Sequence, residues 1–131
     1  MKKRLLSFFL LFAFLSIPVW VLAATVEGTV QGFQCVQAGK TCPIDKRDPV
    51  AAIEQNFVVL TSAGGYYLVP NLDRAVLARH LTEQVRISGK ISNKYNAITA
   101  DKVEVKKDGK WKVVWSAEMQ KEIEEELETG A

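Results

Sequence analysis

The chain has 131 residues, of which 17 are basic, 15 are acidic and 48% are hydrophobic. A chain of this length forms one small domain with a modest core, and residues 24–116 have a net charge of +4, too weak a basic excess to indicate nucleic-acid binding, which requires a clustered cationic surface. The charge is nevertheless segregated. Residues 24–116 carry 13 basic and nine acidic groups, whereas residues 117–131 carry one lysine and six glutamates. An acidic tail therefore follows a mildly basic body.

Residues 1–23 have the features of a secretory signal peptide. Basic residues come first, an almost unbroken apolar run occupies residues 5–14, and Pro18 precedes a cleavage pattern of small residues. This pattern predicts a periplasmic or secreted protein. The alternative is an uncleaved anchor, because residues 5–24 approach the length of about 20 apolar residues that spans a bilayer. Only in that case do we expect membrane association.

Residues 25–35 follow the alternation of a first β-strand. Val26 and Val30 lie on one side of this segment, whereas Phe33 is out of phase with them. A glycine inside a strand commonly marks a bulge or a sharp bend. We therefore predict a strongly coiled first strand with a bulge near Gly32.

Cys35 and Cys42 are the two cysteines of the chain, and an exported protein keeps its disulfides. A bridge between them would close a short loop and stabilise the domain by roughly 2 to 3 kcal/mol in the chain-entropy estimate. A reactive dithiol is the weaker interpretation, because redox pairs usually have Cys-x-x-Cys spacing and six residues intervene here. A metal site would need more ligands than two sulfurs and one histidine. We predict a structural disulfide and no metal.

Residues 37–56 form a long connection after this strand. Asp48 followed by Pro49 fits a helix N-cap with proline at the first helical position, so one or two helical turns are expected here. Asp45, Asp48 and Glu54 do not have the spacing of an EF-hand calcium loop. We interpret these acidic residues as a cap and solvated loop charges.

A hairpin and a short helix come next. Residues 57–69 are two apolar runs around a glycine-rich turn, which is typical of a β-hairpin. Asp73 can then cap a helix that extends to Leu81. Leu81 and one of Val76 and Leu77 would form the buried stripe of this helix.

Residues 83–91 are the most regular strand of the sequence. Val85, Ile87 and Ile91 fall on one side, and charged or polar residues fall between them. This alternation is typical of a half-buried strand. We take it to be the central strand of a small barrel.

The remaining strands follow in two short segments. After a turn at residues 92–96, residues 97–105 return with a change of phase that places a second bulge near Asp101. The Asp-Gly pair at 108–109 is a favoured hairpin turn. It leads to a last strand at residues 110–115.

The acidic tail has the period of a helix. Within residues 117–131, Met119, Ile123 and Leu127 are spaced at i, i+4 and i+8, so they lie on one helical face with glutamates on the others. Two outcomes are open. The helix either folds back as a cap over Trp115, or it stands free and docks into the groove of a partner.

The order of elements, with a helix between the third and fourth strands, is that of an OB barrel. TVEGTV at 25–30 and VRISGKI at 85–91 resemble the coiled first strand and the fourth strand of small exported bacterial OB-fold domains. The resemblance covers about residues 25–105. We predict a mainly β protein with a five- to six-stranded OB-like barrel at residues 24–116 and an acidic amphipathic C-terminal helix at 117–131. A different small β-barrel or roll is the alternative.

The resemblance implies a binding surface on strands 2 and 3 and on the loops that join strands 1 to 2 and 4 to 5. The candidate binding face therefore contains Tyr66, Tyr67, Lys94 and Tyr95. Adjacent tyrosines on a strand point to opposite faces, so we expect one in the core and one exposed. An exposed tyrosine could stack on a sugar or a base. The alternative is a tyrosine that packs at the rim of the barrel.

The sequence contains no evident Ser-His-Asp order, carboxylate pair, phosphate loop or metal cluster, so we expect neither catalysis nor a cofactor. His80, the single imidazole, is interpreted as a side chain near a helix end. Two functions follow. The first is an exported, non-catalytic binding or adaptor module of the cell envelope, whose barrel face binds an envelope protein or a small ligand. The second is a structural accessory subunit of an envelope complex, which docks through the acidic helix and the strand that carries Trp111 and Trp115.

Overall fold

Six β-strands and four α-helices make up the computed structural model, which describes residues 23–130. The predicted signal peptide lies outside these residues, apart from Ala23. Among residues 23–130, no helix has the length and apolar character needed to span a membrane. The strands are β1 (Ala24–Gly32), β2 (Phe57–Leu60), β3 (Tyr66–Leu68), β4 (Gln84–Ser92), β5 (Ala97–Lys107) and β6 (Lys110–Ser116). The helices are α1 (Phe33–Gln37), α2 (Arg47–Ile53), α3 (Arg74–Ala78) and α4 (Ala117–Thr129), and a 3₁₀ turn (Ile44–Lys46) precedes α2.

The strands form one sheet that closes on itself. Their order is β3-β2-β1-β4-β5-β6, and β3 also pairs with β5 in parallel at Leu68 and Ala97. This last contact closes the ring into a barrel-like sheet, with α3 between β3 and β4 in the chain. The predicted fold class is confirmed: the protein is mainly β, with an OB-like element order and a C-terminal acidic helix.

The core lies inside this ring and is closed by the segment that contains α3. Val85 and Ile87 of β4 are fully buried, and Leu77 and Leu81 are 4% and 1% exposed. Asp73 caps α3 as predicted, because its carboxylate accepts a hydrogen bond of 2.7 Å from the backbone N–H of Ala75. The helix ends at Ala78, however, and not at Leu81 as predicted. The inward-facing side chains of β4 and those of the α3 segment therefore pack together in the core of the barrel.

The sheet bends sharply where β4 meets β5. Ala100 pairs with Gly89 and Lys102 pairs with Ser88, so Asp101 is an extra residue on β5. The predicted bulge near Asp101 is confirmed. Gly89 is required at this bend, since a Cβ there would overlap the carbonyl of Thr99 on the neighbouring strand.

The first strand ends earlier than the sequence indicates. β1 stops at Gly32, and Phe33 begins α1 instead of continuing the strand after a bulge, so the prediction for residues 25–35 was wrong at its end. The cause is a contact distant in sequence. A Cβ at Gly32 would lie 2.7 Å from a carboxylate oxygen of Glu54, and the N–H of Phe33 donates to the carbonyl of Asn56 at 2.9 Å.

The loop after β1 also departs from the expectation. α2 begins at Arg47, after a 3₁₀ turn, so Asp48 lies inside the helix and is not its N-cap. Glu54 is not a solvated loop charge: it is 4% exposed and accepts hydrogen bonds from the N–H groups of Gln34 and Asn56. The expected one or two helical turns are present at α2. The buried carboxylate of Glu54 holds the two ends of the loop together through these hydrogen bonds.

The last hairpin runs directly into the acidic helix. Val103 pairs with Trp115 and Glu104 pairs with Val113, so β6 has a bulge at Val114 that the sequence analysis did not predict. The hydroxyl of Ser116 caps α4 by accepting a hydrogen bond of 3.2 Å from the N–H of Met119. No linker separates β6 from α4.

Candidate functional site

The two cysteines lie side by side at the base of the loop between β1 and β2. The thiol of Cys42 accepts the N–H of Gly32 at 3.1 Å, and the N–H of Cys42 donates to the side chain of Gln31 at 2.6 Å. Both cysteines are free thiols in this structure. Burial raises the pKa of Cys35 to about 11, and the hydrogen bond to Cys42 and the nearby Glu54 act in the same direction. The disulfide stays a prediction, at a place where both sulfurs are already close.

The reduced protein is expected to react slowly with thiol reagents at neutral pH. A thiol with a pKa of about 11 carries very little thiolate there, and the thiolate is the reacting form. The rate of iodoacetamide alkylation at Cys35, measured by mass spectrometry of the peptides of reduced wild-type protein from about pH 7 to about pH 11, should still be rising at about pH 10. A rate that levels off by about pH 10, as for an unburied thiol with the ordinary pKa of 9.0, would contradict this expectation. Oxidised wild-type protein should take up no reagent.

The candidate binding face is only partly assembled. Tyr67 packs against the core, and Tyr66 faces away from it, with its ring 5.7 Å from that of Phe33 in an edge-to-face contact. Tyr95 is 66% exposed, with the ammonium of Lys94 at 5.1 Å from its ring centroid. The adjacent tyrosines therefore lie on opposite faces, one in contact with the core and one outside it.

The backbone brings β3 and the β4–β5 turn to one edge of the barrel, because the N–H of Leu68 donates to the carbonyl of Asn96 at 2.8 Å. Two clefts of the described residues lie elsewhere. One of about 430 Å³ lies between the 3₁₀ turn, α2 and the end of α3, and one of about 290 Å³ lies between β2, β3 and α3. Neither is lined by Tyr66, Tyr67, Lys94 or Tyr95. The predicted face is thus an open surface.

The apolar residues of α4 stand in solvent. We call Met119, Ile123 and Leu127 the apolar stripe; their exposed fractions are 41%, 55% and 78%, increasing away from the barrel. The indole N–H of Trp115 donates to the side chain of Gln120 at 3.1 Å, which fixes the first turn of the helix. α4 is therefore anchored at its start, and the described residues leave Ile123 and Leu127 more than half exposed.

A second surface, which was not predicted from the sequence, crosses the outer side of the sheet. We call it the tryptophan face, and it consists of Arg86, Lys102, Glu104, Lys106, Trp111 and Val113. Strand pairing puts these side chains on one side, because Arg86 is opposite Glu104, Glu104 is opposite Val113, and Lys106 is opposite Trp111. The predicted turn at 108–109 was the available signal, since counting back from it pairs Lys106 with Trp111.

Ion pairs with Glu104 hold two of the basic side chains of the tryptophan face in place. The guanidinium of Arg86 forms two hydrogen bonds of 2.8 and 3.0 Å with the carboxylate of Glu104 and lies 4.5 Å from the ring centroid of Trp111. Lys102 lies 3.7 Å from the same carboxylate. Lys106 lies 5.8 Å from the Trp111 ring and, among residues 23–130, forms no ion pair. The face therefore presents a tryptophan and a valine beside lysines.

The carboxylate of Glu83 contacts three basic side chains at the start of β4. It accepts hydrogen bonds from Lys107 at 2.5 Å and from His80 at 2.8 Å, and Arg47 lies 3.6 Å away. Burial acts to raise the pKa of Glu83, but the hydrogen bonds from Lys107 and His80 outweigh it and the pKa is lowered. His80 thus serves in a structural contact next to the helix end.

The domain is expected to lose stability in acid. The hydrogen bond from Arg86 lowers the pKa of Glu104, against the opposing effect of burial, and the pKa of Glu83 is lowered as well. A lowered pKa in the folded state stabilises the protein above the ordinary value of 4.5, and this stabilisation is lost as the pH falls through the folded value. Urea unfolding from about pH 7 to about pH 2 should show this loss. The Glu104→Gln variant should show a smaller pH dependence, and an equal slope would contradict the assignment.

Among the described residues, no group of three or more His, Cys, Asp or Glu side chains is placed to hold a metal ion. The arrangement offers surfaces of defined charge and apolarity: a stripe flanked by glutamates on α4 and a tryptophan flanked by lysines on the sheet. The chain matches no family model, no curated protein and no solved structure.

Proposed function

We propose that this protein is a non-catalytic adaptor of the bacterial cell envelope that docks onto a partner protein through α4. The barrel serves as a rigid base, and α4 projects from the last strand as a recognition helix. The observation that carries the proposal is the exposure of the apolar stripe, which is 41% at Met119 and reaches 78% at Leu127. This is the arrangement of a helix that fills a groove on another protein.

The energetics of α4 favour a bound state. A 13-residue helix with one face against water has little tertiary support, and isolated helices of about this length are marginal in water. Fully burying a large apolar side chain contributes about 1.5–3 kcal/mol. Covering three such residues would therefore stabilise both the helix and the complex.

The charges beside the stripe specify the partner's chemistry. At 100° per residue, Glu122 and Glu126 follow one side of the stripe and Glu124 follows the other. A second α4 packed on the stripe would place glutamates against glutamates, which is unfavourable. The partner surface should be apolar in its centre and cationic at its margins.

The Ile123→Gln substitution is expected to abolish docking without affecting the fold. Glutamine is a good helix former and carries no charge, so the variant removes only the centre of the stripe. Recovery of the crosslinked partner from the native envelope should fall by about tenfold or more, whereas the circular dichroism spectrum of the folded protein should not change.

The matched control is Glu125→Gln, which introduces the same residue on the opposite side of α4. Glu125 forms an exposed ion pair with Lys121 at 3.6 Å, and such pairs contribute little. This variant should recover the partner as wild type does. Equal recovery by both variants would refute docking through the stripe.

Ligand binding at the barrel edge is a second candidate function, and the exposure of Tyr95 beside Lys94 is the observation that favours it. Tyr66, which faces away from the core, would extend this surface. A sugar or nucleotide that stacks there should raise the melting temperature of wild-type protein, and this rise should be lost in the Tyr66→Ala and Tyr95→Ala variants. An equal rise in all three proteins would place the ligand elsewhere.

A further inference from the structure

We infer that the partner of α4 is a second copy of this chain, whose tryptophan face receives the apolar stripe. This inference rests on the proposed docking function of α4 and names its partner. Each copy carries both a stripe and a face, so two copies can exchange their helices reciprocally. Such a self-complementary contact closes with two-fold symmetry into a dimer.

The charges of the two surfaces are complementary. Residues 84–116, which contain β4, β5 and β6, carry eight basic and three acidic side chains, a net of +5. Residues 117–131 carry one lysine and six glutamates, a net of −5. The tryptophan face itself carries three basic groups and one acidic group, a net of +2, which is the sign that α4 requires.

The local chemistry of the face also matches the stripe. Val113 is 41% exposed and lies on the same side of the sheet as Trp111, so the face offers an apolar centre. Lys106 is beside this centre and has no carboxylate partner among residues 23–130. Glu104 does not repel an acidic helix strongly, because Arg86 and Lys102 already neutralise it.

A chain cannot cover its own tryptophan face with its own stripe while β6 and α4 keep their present form. α4 begins at Ala117, directly after the last residue of β6, and the Ser116 cap and the Trp115–Gln120 hydrogen bond fix its departure from the sheet. The exposed fraction rises along the stripe, so its far end is the least covered. A neighbouring copy can reach both surfaces without any change in the fold.

The test uses exported protein produced from the full gene and measures its mass in solution by light scattering and native mass spectrometry. Wild type should be a dimer. A helix variant, Ile123→Gln with Leu127→Gln, and a face variant, Lys106→Glu with Val113→Gln, should each raise the dimer dissociation constant by at least about tenfold. Circular dichroism and melting temperature check that both variants fold.

Mixing the two variants gives the decisive result. The intact helix of the face variant can bind the intact face of the helix variant, so an equimolar mixture should form heterodimers although each variant alone is monomeric. Raising the salt concentration should weaken the wild-type dimer, since the contact joins opposite charges. A mixture that stays monomeric would overturn the reciprocal contact, as would open assemblies whose mass grows with concentration.

The failure of this inference can be distinguished from that of the docking function. Wild-type protein that remains monomeric at about 1 mM, where a dissociation constant of 1 mM would already populate the dimer, overturns the second copy as partner. If Ile123→Gln then still abolishes recovery of an envelope protein, docking through α4 stands with a different partner. If Ile123→Gln changes neither mass nor recovery, both proposals fail.

Discussion

Gly89→Ala is expected to destabilise the domain by about 3 kcal/mol or more, and so to lower the melting temperature by about 10 °C or more. The added Cβ would overlap the carbonyl of Thr99, a backbone atom that cannot move without breaking the pairing between β4 and β5. The bend at Asp101 depends on this close approach. Thermal and urea unfolding of the variant measure the effect.

Gly65→Ala is the matched control for this substitution. Gly65 lies in the turn between β2 and β3, and a Cβ there would approach the hydroxyl of Thr61 to 3.6 Å, an ordinary contact. Its backbone is not in the left-handed region. The control should therefore change stability by about 0.5 kcal/mol or less. Comparable losses in both variants would mean that glycine flexibility, and not the approach of β5, determines the effect at Gly89.

The sequence predicts those features of the fold that depend on neighbouring residues. The alternation of residues 83–91 identifies β4, Asp73 identifies the start of α3, and the change of phase after Ala100 identifies the bulge at Asp101. These signals are local because strand period, helix caps and bulges are each specified within a few residues. They suffice for the OB-like order of elements.

The loop between β1 and β2 could not be predicted in the same way. Phe33 is out of phase with Val26 and Val30 because a helix starts there, and that start depends on Glu54, about twenty residues later in the chain. The carboxylate of Glu54 is buried because Gly32 leaves room for it. Local periodicity contains no information about such a contact.

The candidate site likewise combines features that the local sequence predicts with features that depend on contacts distant in sequence. The spacing of Met119, Ile123 and Leu127 identifies the apolar stripe, but only the structure shows that Ile123 and Leu127 remain more than half exposed. The tryptophan face is assembled from three strands, and its charge pairs depend on the register between β4, β5 and β6.

Leu81→Ala is expected to destabilise the domain by about 2–5 kcal/mol, because it removes a 1%-exposed side chain from the end of the barrel and leaves a cavity behind. Leu127→Ala makes the same chemical change at a position that is 78% exposed, so it should alter the free energy of unfolding by about 0.5 kcal/mol or less. Urea unfolding of the two variants measures this difference.

The two leucine variants should have opposite effects: Leu127→Ala should weaken docking but not stability, and Leu81→Ala should lower stability but not docking. Leu127→Ala keeps the barrel and removes the far end of the apolar stripe, so the folded variant should bind its partner more weakly. Leu81→Ala leaves the stripe and the tryptophan face in place, so the fraction that remains folded should bind as wild type does. If Leu127→Ala instead lowers the melting temperature as Leu81→Ala does, and by an amount that does not depend on protein concentration, α4 packs on its own barrel and acts as a cap. A stable Leu127→Ala protein with weakened association would establish that α4 is needed for binding the partner and not for the stability of the fold.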